Sequence, residues 1–294
     1  MSRTTGQLIA VTGASGFLGG AIVKQLKTQG HYVRGLFRRP AIEMQEDQTP
    51  DEAVVGDISD ASAVEKLAQD ADVIIHTVSN FRALDDPPED YWRVNAEGTR
   101  NMLSAALEAG VRRFVHCSTI GVHGDVAAGP GDESCPYNPG DLYQKTKLEA
   151  DLLCQRFQKE GDMDIVVVRP CSLYGPGDRR LLKMFSMATK RRFVLIGDGK
   201  SKFHSLYIDD AAKAFVRAAS LPGAANQIFI IGQPAAVELR EYMSAVAVSL
   251  GKEATIFETS VSADLPARVC VGESPRHRRH HVTPDSSTFA ILQE

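Results

Sequence analysis

Short strand-like apolar runs alternate with helix-like stretches along the first two thirds of the chain. The strand-like runs are Leu8–Thr12, Tyr32–Phe37, Ala53–Val55, Val73–Val78, Arg113–Cys117, Ile165–Val168 and Gln227–Ile231. Between them apolar residues recur at helical spacing, as Leu18, Ala21 and Ile22 do in the first intervening segment. Strands that are apolar on both faces and alternate with helices are typical of a parallel sheet covered on both sides. The pattern therefore predicts an α/β fold built on a doubly wound parallel sheet.

Two stretches interrupt this alternation. Residues 123–141 are rich in Gly, Pro and Asp and lack periodicity, which predicts a long loop. From Arg179 onward the order weakens, which indicates a smaller C-terminal lobe interleaved with the sheet. We expect a sheet domain of residues 1–175 and 204–232, and a smaller lobe of residues 176–203 and 233–294.

Composition and charge narrow the functional classes. The 294 residues carry 33 basic and 37 acidic side chains, a net charge of -4, with 43% hydrophobic and 24% charged residues. These values are ordinary for a globular protein, and the mildly acidic balance argues against nucleic-acid partners and anionic membranes. No apolar run approaches the roughly 18 residues that span a bilayer. The five cysteines are scattered and odd in number, so we expect reduced thiols and a cytoplasmic protein.

A glycine-rich turn follows the first predicted strand. The sequence TGASGFLG begins at Thr12 and places three glycines at GxxGxxG spacing between a strand and a helix. Glycines let the backbone approach a pyrophosphate, and a helix N-terminus offers N–H groups to it, although any tight strand-to-helix turn also uses glycine. We expect a dinucleotide to bind this turn through Gly13, Ser15, Gly16, Phe17, Leu18 and Gly19.

The end of the second predicted strand bears on the choice of cofactor. An acidic residue there favours NAD, whereas an arginine accommodates the 2′-phosphate of NADP. The chain reads Phe37-Arg38-Arg39 without a carboxylate, which favours NADP through Arg38, with NAD as the alternative. The alternative interpretation of the arginines is a solvated surface pair. Asp57, after the third strand, suits a hydrogen bond to adenine or else an ordinary turn before a helix.

A tyrosine and a lysine lie four residues apart at the start of a helix predicted over residues 142–159. At this spacing Tyr143 and Lys147 share one face of the helix. An ammonium group near a phenol favours the phenolate and so lowers the pKa of the tyrosine towards the neutral range. The pair therefore suits a general base, although any amphipathic helix can hold Tyr and Lys at this spacing.

Two hydroxyl residues follow the fifth predicted strand. Ser118 and Thr119 stand where the carboxyl end of a parallel strand meets the ligand crevice. Either hydroxyl could donate a hydrogen bond to a substrate oxygen and orient it towards Tyr143. The alternative for each is a hydroxyl that bonds its own backbone.

Taken together, the motifs resemble the extended short-chain dehydrogenase/reductase family, also called the NAD-dependent epimerase/dehydratase family. The matching segments are TGASGFLGG from Thr12, Asp57-Ile58, Asn95-x-x-Gly98-Thr99, STIGVHG from Ser118, YQKTK from Tyr143, RPCSLYGPGD from Arg169 and LYIDDAAKAF from Leu206. They follow the family's order over roughly residues 8–232 and jointly are specific. The resemblance implies a Rossmann-type fold and a nicotinamide-dependent enzyme.

The resemblance also assigns roles to matching positions. Tyr143 matches the catalytic base, Lys147 the residue that lowers its pKa and holds the nicotinamide ribose, and Thr119 the hydroxyl position. The positions that match the family's cofactor contacts outside the glycine turn are Asp57, Ile58, Asn95 in a helix expected over residues 90–109, Arg169 and Pro170. Family members often form homodimers, and we expect one here.

Departures from the family pattern bear on the substrate. Nucleotide-sugar enzymes usually carry Asn where this chain has Ser172, and Arg where it has Phe203. The chain therefore resembles hydroxysteroid-dehydrogenase-like and reductase-like members more than nucleotide-sugar epimerases. We expect hydride transfer between the nicotinamide and a secondary alcohol or ketone of a small molecule. A nucleotide-sugar epimerase or dehydratase is the alternative, and a non-catalytic NADP-sensing regulator fits less well because Tyr143, Lys147 and Thr119 are all present.

Two remaining features receive structural interpretations. No spacing of His, Cys, Asp or Glu predicts a metal site, and His76 and His116 are expected to be buried histidines with hydrogen-bond partners. The basic cluster Arg276–His281 is too short to indicate a nucleic-acid site, and it resembles the Arg-rich turn near the family's substrate pocket.

Overall fold

In the computed structural model, residues 6–40, 44–81, 86–126, 129–190, 192–196, 198–251 and 255–259 are described. The basic cluster Arg276–His281 lies outside the described residues. The chain divides into a larger unit of residues 1–177 and 206–231 and a smaller unit of residues 178–205 and 232–294. Within the described ranges, none of the helices has the length and apolar character needed to cross a membrane.

The elements follow one another in an alternating order. The strands are β1 (Leu8–Thr12), β2 (Tyr32–Phe37), β3 (Glu52–Val55), β4 (Val73–His76), β5 (Arg113–Cys117), β6 (Asp164–Pro170), β7 (Ser172–Tyr174), β8 (Arg192–Ile196), β9 (Lys202–Phe203), β10 (Ser205–Tyr207), β11 (Ile228–Ile231), β12 (Val237–Glu238) and β13 (Thr255–Thr259). The α-helices are α1 (Phe17–Thr28), α2 (Ala61–Ala68), α3 (Pro88–Tyr91), α4 (Gly98–Glu108), α5 (Leu142–Glu160), α6 (Leu182–Ala188), α7 (Ile208–Ser220) and α8 (Leu239–Ser249).

Among the described residues, a seven-stranded sheet dominates the larger unit, in the order β11-β6-β5-β4-β1-β2-β3. Every adjacent pair of strands runs parallel. The chain builds outward in both directions from the neighbours β1 and β4, so the strand order reverses there, and ligands of such sheets bind at the carboxyl ends beside that point. The predicted doubly wound parallel sheet is confirmed.

Each face of the sheet carries its own apolar cluster. Ile9 and Val11 of β1 pack in the cluster that includes α1 and α7, whereas Leu8 and Ala10 pack in the cluster that includes α2, α4 and α5. Successive side chains of a strand point to opposite faces, so a continuous apolar run fills both clusters. All residues of β1 are buried, which fixes the strand end that carries the glycine turn.

Strand β4 ends at His76, two residues before the predicted end at Val78. The backbone N–H of Thr77 donates to Thr12 Oγ1 at 3.0 Å, and Thr77 Oγ1 donates to the carbonyl oxygen of Thr12 at 2.7 Å. Thr12 is the last residue of β1 that pairs with β4, so these bonds follow directly on the pairing of the two strands. They also tie the segment after β4 to the end of β1, next to Gly13.

The helix expected over residues 90–109 consists of three segments. Helix α3 leads into a π-helical turn, Trp92–Glu97, and α4 continues from Gly98. Asn95 lies within the π turn and is fully buried, with its side-chain oxygen accepting from the backbone N–H of Asn80 at 2.7 Å. The π turn contains neither Gly nor Pro to mark an interruption of the helix, so the sequence pattern could not reveal it.

The smaller unit has its own apolar cluster. Ala188 of α6 and Met243 and Ala247 of α8 are its buried members. Strand β9 pairs antiparallel with β12, and the ring of Phe203 in β9 lies 4.6 Å from the ring of Tyr242. The function of this unit as a substrate lobe stays a prediction.

Candidate functional site at the carboxyl ends of the sheet

In the glycine turn between β1 and α1, the backbone has a conformation and a close approach that require glycine. Gly13 has a φ of 69°, in the left-handed region, and its carbonyl accepts the N–H of Gly16 at 2.8 Å. A Cβ on Gly19 would lie 2.0 Å from the carbonyl oxygen of Gly13. Helix α1 then begins without a side-chain cap or an acidic residue in its first turn. This end of the helix therefore suits an anionic group.

The other residues of the turn differ in what they can contribute. Ser15 and Gly16 are exposed, and Phe17 is half-buried. Leu18 is 9% exposed and its side chain packs in the apolar cluster with Ile22. Leu18 can therefore contribute only its backbone to a ligand.

Asp57 lies after β3 among groups that stabilise its charge. Its Oδ1 accepts from Ser59 Oγ at 2.7 Å and from Ser59 N at 3.0 Å, and Arg93 Nη1 lies 3.3 Å away. Partial burial by itself would raise the pKa of Asp57, but the Ser59 hydrogen bonds and the charges of Arg93 and Arg38 hold the pKa below its usual value. Arg38 itself is exposed at the end of β2. Ile58 is 2% exposed, and its side chain belongs to the apolar core.

Tyr143 and Lys147 lie at the start of α5. The helix is capped by Asp141, whose carboxylate accepts the N–H of Gln144 at 2.7 Å. The half-buried ring of Tyr143 meets the ring of Phe81 edge-on, with centroids 4.7 Å apart. Lys147 is only 2% exposed, and its Nζ donates to the carbonyl oxygen of Cys117 at 2.6 Å. The structure thus places a buried ammonium on the residue one helical turn after Tyr143.

The two hydroxyls after β5 have different environments. Thr119 is half-buried, and its Oγ1 accepts the N–H of Gly121 at 3.1 Å, which leaves its hydroxyl hydrogen for another acceptor. Ser118 is 2% exposed, and its hydroxyl donates to Asp151 Oδ2 at 2.6 Å. A serine hydroxyl has one hydrogen to donate, so in this arrangement Ser118 does not offer it to a substrate. The expected choice between the two falls on Thr119.

Arg169 lies in a buried ion pair. Its side chain is fully buried, with Nε 2.9 Å from Asp151 Oδ2 and Nη2 3.0 Å from Asp151 Oδ1. Nη2 also donates to Tyr137 Oη at 2.9 Å, and Nη1 lies 3.0 Å from His123 Nε2. The expected contact of the guanidinium with a cofactor is therefore not supported, because its donors are already bonded. Pro170, next in β6, is buried as well.

Asn95 also has an internal role. Its Nδ2 donates to the carbonyl oxygen of Asn80 at 3.1 Å and to Thr146 Oγ1 at 2.9 Å. These bonds join the π turn, the segment after β4 and the first turns of α5. The buried amide therefore does not support the expected direct contact with a cofactor, and it positions the backbone next to Lys147 instead.

Two buried histidines, His76 in β4 and His116 in β5, stack on each other in the sheet. His76 Nδ1 lies 2.9 Å from Thr12 Oγ1, and its Nε2 lies 3.1 Å from Thr99 Oγ1. Burial and the charge of Lys147 lower the pKa of His76 to about 3. His116 stacks on His76 at 5.6 Å, and burial lowers its pKa well below the usual value. Neither ring nitrogen of His116 has a hydrogen-bond partner among the described residues, so the expectation of a satisfied histidine is wrong there.

The comparison with protein families agrees with this arrangement. The model of the NAD dependent epimerase/dehydratase family matches residues 9–232, which contain the glycine turn and the Tyr143–Lys147 pair. The chain belongs to this family. The family is the extended short-chain dehydrogenase/reductase type that the motifs resemble, and its members are nicotinamide-dependent enzymes, so those predictions are confirmed.

The relatives of this member of the epimerase/dehydratase family have different enzyme activities. It is 34% identical over 258 residues to "UDP-glucose 4-epimerase" of Mycolicibacterium smegmatis, covering 82% of each chain. It is 30% identical over 260 residues to "3 beta-hydroxysteroid dehydrogenase/Delta 5-->4-isomerase" of Mycobacterium tuberculosis, covering 83% of this chain and 70% of the relative. Among solved structures, the dTDP-glucose 4,6-dehydratase DesIV from Streptomyces venezuelae, with NAD and TYD bound, matches at 26% identity and a TM-score of 0.73, covering 85% of this chain and 84% of DesIV.

Some residues of this family member's site had no clear signal in the sequence. Arg93, which meets Asp57, is on a helix and far from it in the chain. Asp151 did carry a signal, because it lies four residues after Lys147 and so shares its face of α5. Among the described residues, no group of three or more His, Cys, Asp or Glu side chains could hold a metal ion.

Acid should destabilise the protein through His76. The folded pKa of about 3 lies below the unfolded value of 6.5, so the unfolded chain binds the extra proton as the pH falls. The stabilisation is complete above the unfolded pKa and is lost as pH falls from there towards the folded pKa. We expect the contribution of His76 to the free energy of unfolding, measured with urea, to fall by about 2 kcal/mol between about pH 7 and 5.

The variant His76→Gln should lack this part of the pH dependence. Its free energy of unfolding should fall less steeply with acid than that of the parent, whereas the two slopes should agree on the alkaline side of neutral. Equal slopes on the acid side would contradict the buried, neutral state of His76.

Proposed function

We propose that this enzyme catalyses net oxidation or reduction of a secondary hydroxyl or keto group, with Tyr143 exchanging the proton. The observation that carries the proposal is the buried Lys147 ammonium, held 2.6 Å from the Cys117 carbonyl oxygen one helical turn from Tyr143. A general base of this kind must be ionised near neutral pH, and a fixed cation nearby favours its ionised form. The observed pair supplies that arrangement in the first turns of α5.

Tyr143 and Thr119 have separate roles in this proposal, since one exchanges the proton and the other binds the substrate oxygen. An ordinary phenol titrates near pH 10, and lowering its pKa by about three units requires roughly 4 kcal/mol of differential stabilisation. Lys147 contributes through its charge. Thr119 Oγ1, which already accepts the N–H of Gly121, donates its hydrogen to the substrate oxygen and holds it towards the phenol.

The glycine turn fits the diphosphate of a dinucleotide. The close approach of Gly19 to Gly13 and the uncapped start of α1 leave a backbone surface that an added Cβ would block. Gly13, Ser15 and Gly16 would hold the diphosphate there, and Asp57 would bond the adenine. A bound nicotinamide would supply hydride transfer at C4 and, in its oxidised form, a positive charge that favours the phenolate of Tyr143.

NADP is the preferred cofactor in our proposal. Arg38 is exposed at the end of β2, close enough to Asp57 to lower its pKa. Arg93 lies 3.3 Å from the same carboxylate. The positive charge of these arginines favours an additional phosphate near the ribose, whereas the NAD bound in DesIV keeps NAD as the alternative.

The second candidate is epimerisation or dehydration of a nucleotide sugar. The similarity to the UDP-glucose 4-epimerase of Mycolicibacterium smegmatis favours it. Ser172 and Phe203, at positions where nucleotide-sugar enzymes usually carry Asn and Arg, favour net redox chemistry on a small molecule. A nicotinamide cofactor that copurifies and does not exchange with added NADPH would support the second candidate over the first.

We also propose a cytoplasmic homodimer. Leu148 and Leu152 on α5 are half-buried, which supports an interface along this helix. Met102 and Leu103 on α4 are fully buried within the subunit, so they belong to the core and not to an interface.

The thiols support the cytoplasmic location. Cys117, Cys135, Cys154 and Cys171 are free, as expected in a reducing compartment.

Removing the phenol oxygen should abolish proton exchange. Tyr143→Phe keeps the ring that meets Phe81, so we expect kcat to fall by at least about 100-fold with little change in cofactor affinity. Turnover is measured across a panel of ketones and secondary alcohols with both cofactors. Tyr32→Phe, at the opposite end of the sheet, is the matched control and should keep full activity. Unchanged turnover in Tyr143→Phe would overturn the assignment.

Removing the arginine after β2 should weaken the cofactor preference. We expect the parent to bind NADPH more tightly than NADH, and Arg38→Ala to reduce the difference by roughly tenfold or more, since a charge-assisted bond to phosphate is lost. Fluorescence titration measures both affinities. Arg39→Ala removes a neighbouring exposed charge and should leave the preference unchanged. Equal affinities of the parent for both cofactors would refute the preference for NADP.

A further inference from the structure

Helix α5 is attached to the end of β5 at two successive residues. Lys147 Nζ donates to the carbonyl oxygen of Cys117 at 2.6 Å, and one helical turn later Asp151 Oδ2 accepts the hydroxyl hydrogen of Ser118 at 2.6 Å. The next residue along the chain is Thr119. The two bonds therefore fix the position of α5, which carries Tyr143, relative to the strand end that carries Thr119.

The carboxylate of Asp151 is fully buried and fully bonded. Its Oδ2 accepts from Ser118 and from Arg169 Nε at 2.9 Å, and its Oδ1 accepts from Arg169 Nη2 at 3.0 Å and from Gln155 Nε2 at 2.7 Å. The bidentate bond with Arg169 pairs the buried carboxylate with a buried guanidinium. Asp151 is thus held as a fixed negative charge one turn from Lys147.

The groups that face Lys147 come from three elements. They are Asp151 and Cys154 on its own helix, Cys117 and His116 on β5, and His76 on β4. Burial lowers the pKa of Lys147, and electrostatic interactions with Cys117, Cys154 and Asp151 act in the opposite direction. Both histidines are neutral because burial lowers their pKa, so they add no positive charge. Of these groups, Asp151 is the carboxylate, and it is paired with Arg169.

We propose that Asp151 is a positioning residue whose buried carboxylate keeps Lys147 protonated and in register with β5, so that Tyr143 ionises near neutral pH. This inference rests on the proposed function of the Tyr143–Lys147 pair. A role in stability alone is a poor explanation, since well-packed apolar residues often replace a buried ion pair without loss of stability. The position of Asp151 one turn from Lys147, with its bond to Ser118, gives the charge a specific use.

Arg169 belongs to the same hydrogen-bond network as Asp151. It bonds Asp151 on one side and Tyr137 and His123 on the other, and both of these lie in the segment of residues 123–141. The guanidinium thus connects that segment to the Asp151 carboxylate on α5.

The test measures the ionisation of Tyr143 directly and does not depend on turnover. The phenolate absorbance of the free protein is followed against pH, and Tyr143→Phe in the same background isolates the Tyr143 part. Asp151→Asn keeps the shape of the side chain and removes its charge, so Lys147 loses its proton more readily and stabilises the phenolate less. We expect the pH of half-ionisation of Tyr143 to rise by about 1 unit or more.

Three further variants separate charge from packing. Asp151→Glu retains the charge and should return the half-ionisation pH towards that of the parent. Ser118→Ala removes one hydrogen bond and keeps the carboxylate, so it should shift the half-ionisation pH by less than Asp151→Asn does. If Asp151→Asn fails to fold because Arg169 is left unpaired, the double variant Asp151→Asn with Arg169→Gln removes both charges and should still show the rise.

Two outcomes distinguish failure of this inference from failure of the proposed function. An unchanged half-ionisation pH in both Asp151→Asn and the double variant, with only stability reduced, would overturn the role of Asp151. A raised half-ionisation pH together with full turnover of Tyr143→Phe would leave the role of Asp151 intact and refute the assignment of Tyr143 as the base.

Discussion

The hydrogen bond from the buried Lys147 ammonium to the Cys117 carbonyl oxygen is the interaction on which the site depends. A cation removed from water is costly unless it is bonded and compensated, and here one backbone carbonyl and a carboxylate one turn away do both. The same bond joins α5 to the central sheet. One contact therefore fixes both the Lys147 cation and the position of α5 on the sheet. Tyr143 lies one helical turn before this cation on the same helix.

The parallel sheet explains why the other groups meet near this contact. The glycine turn, Asp57 and Thr119 each follow a strand, and the carboxyl ends of parallel strands lie along one edge of the sheet. A buried polar chain through Thr12, His76 and Thr99 then ties the end of β1 to the helix after β4. The site's parts thus come from distant segments whose register the sheet and these hydrogen bonds determine.

Local patterns could predict the strands, the glycine turn and the Tyr143–Lys147 pair, because apolar periodicity and short spacings are properties of neighbouring residues. They could not distinguish Ser118 from Thr119, since the difference lies in a partner 33 residues away, Asp151. The same holds for Arg169, whose bond to Asp151 joins two residues that are 18 apart in the chain. The π turn around Asn95 was not predicted for another reason, because it contains neither Gly nor Pro to mark an interruption of the helix.

The most direct test of the central claim records the phenolate absorbance of the parent at neutral pH as NADP+ and then NADPH are added. The oxidised nicotinamide adds a positive charge to that of Lys147, so NADP+ should produce a phenolate band that NADPH produces much less. The band should be missing from Tyr143→Phe. An identical band in Tyr143→Phe, or none in the parent with NADP+ bound, would contradict a phenolate at Tyr143 as the base of this site.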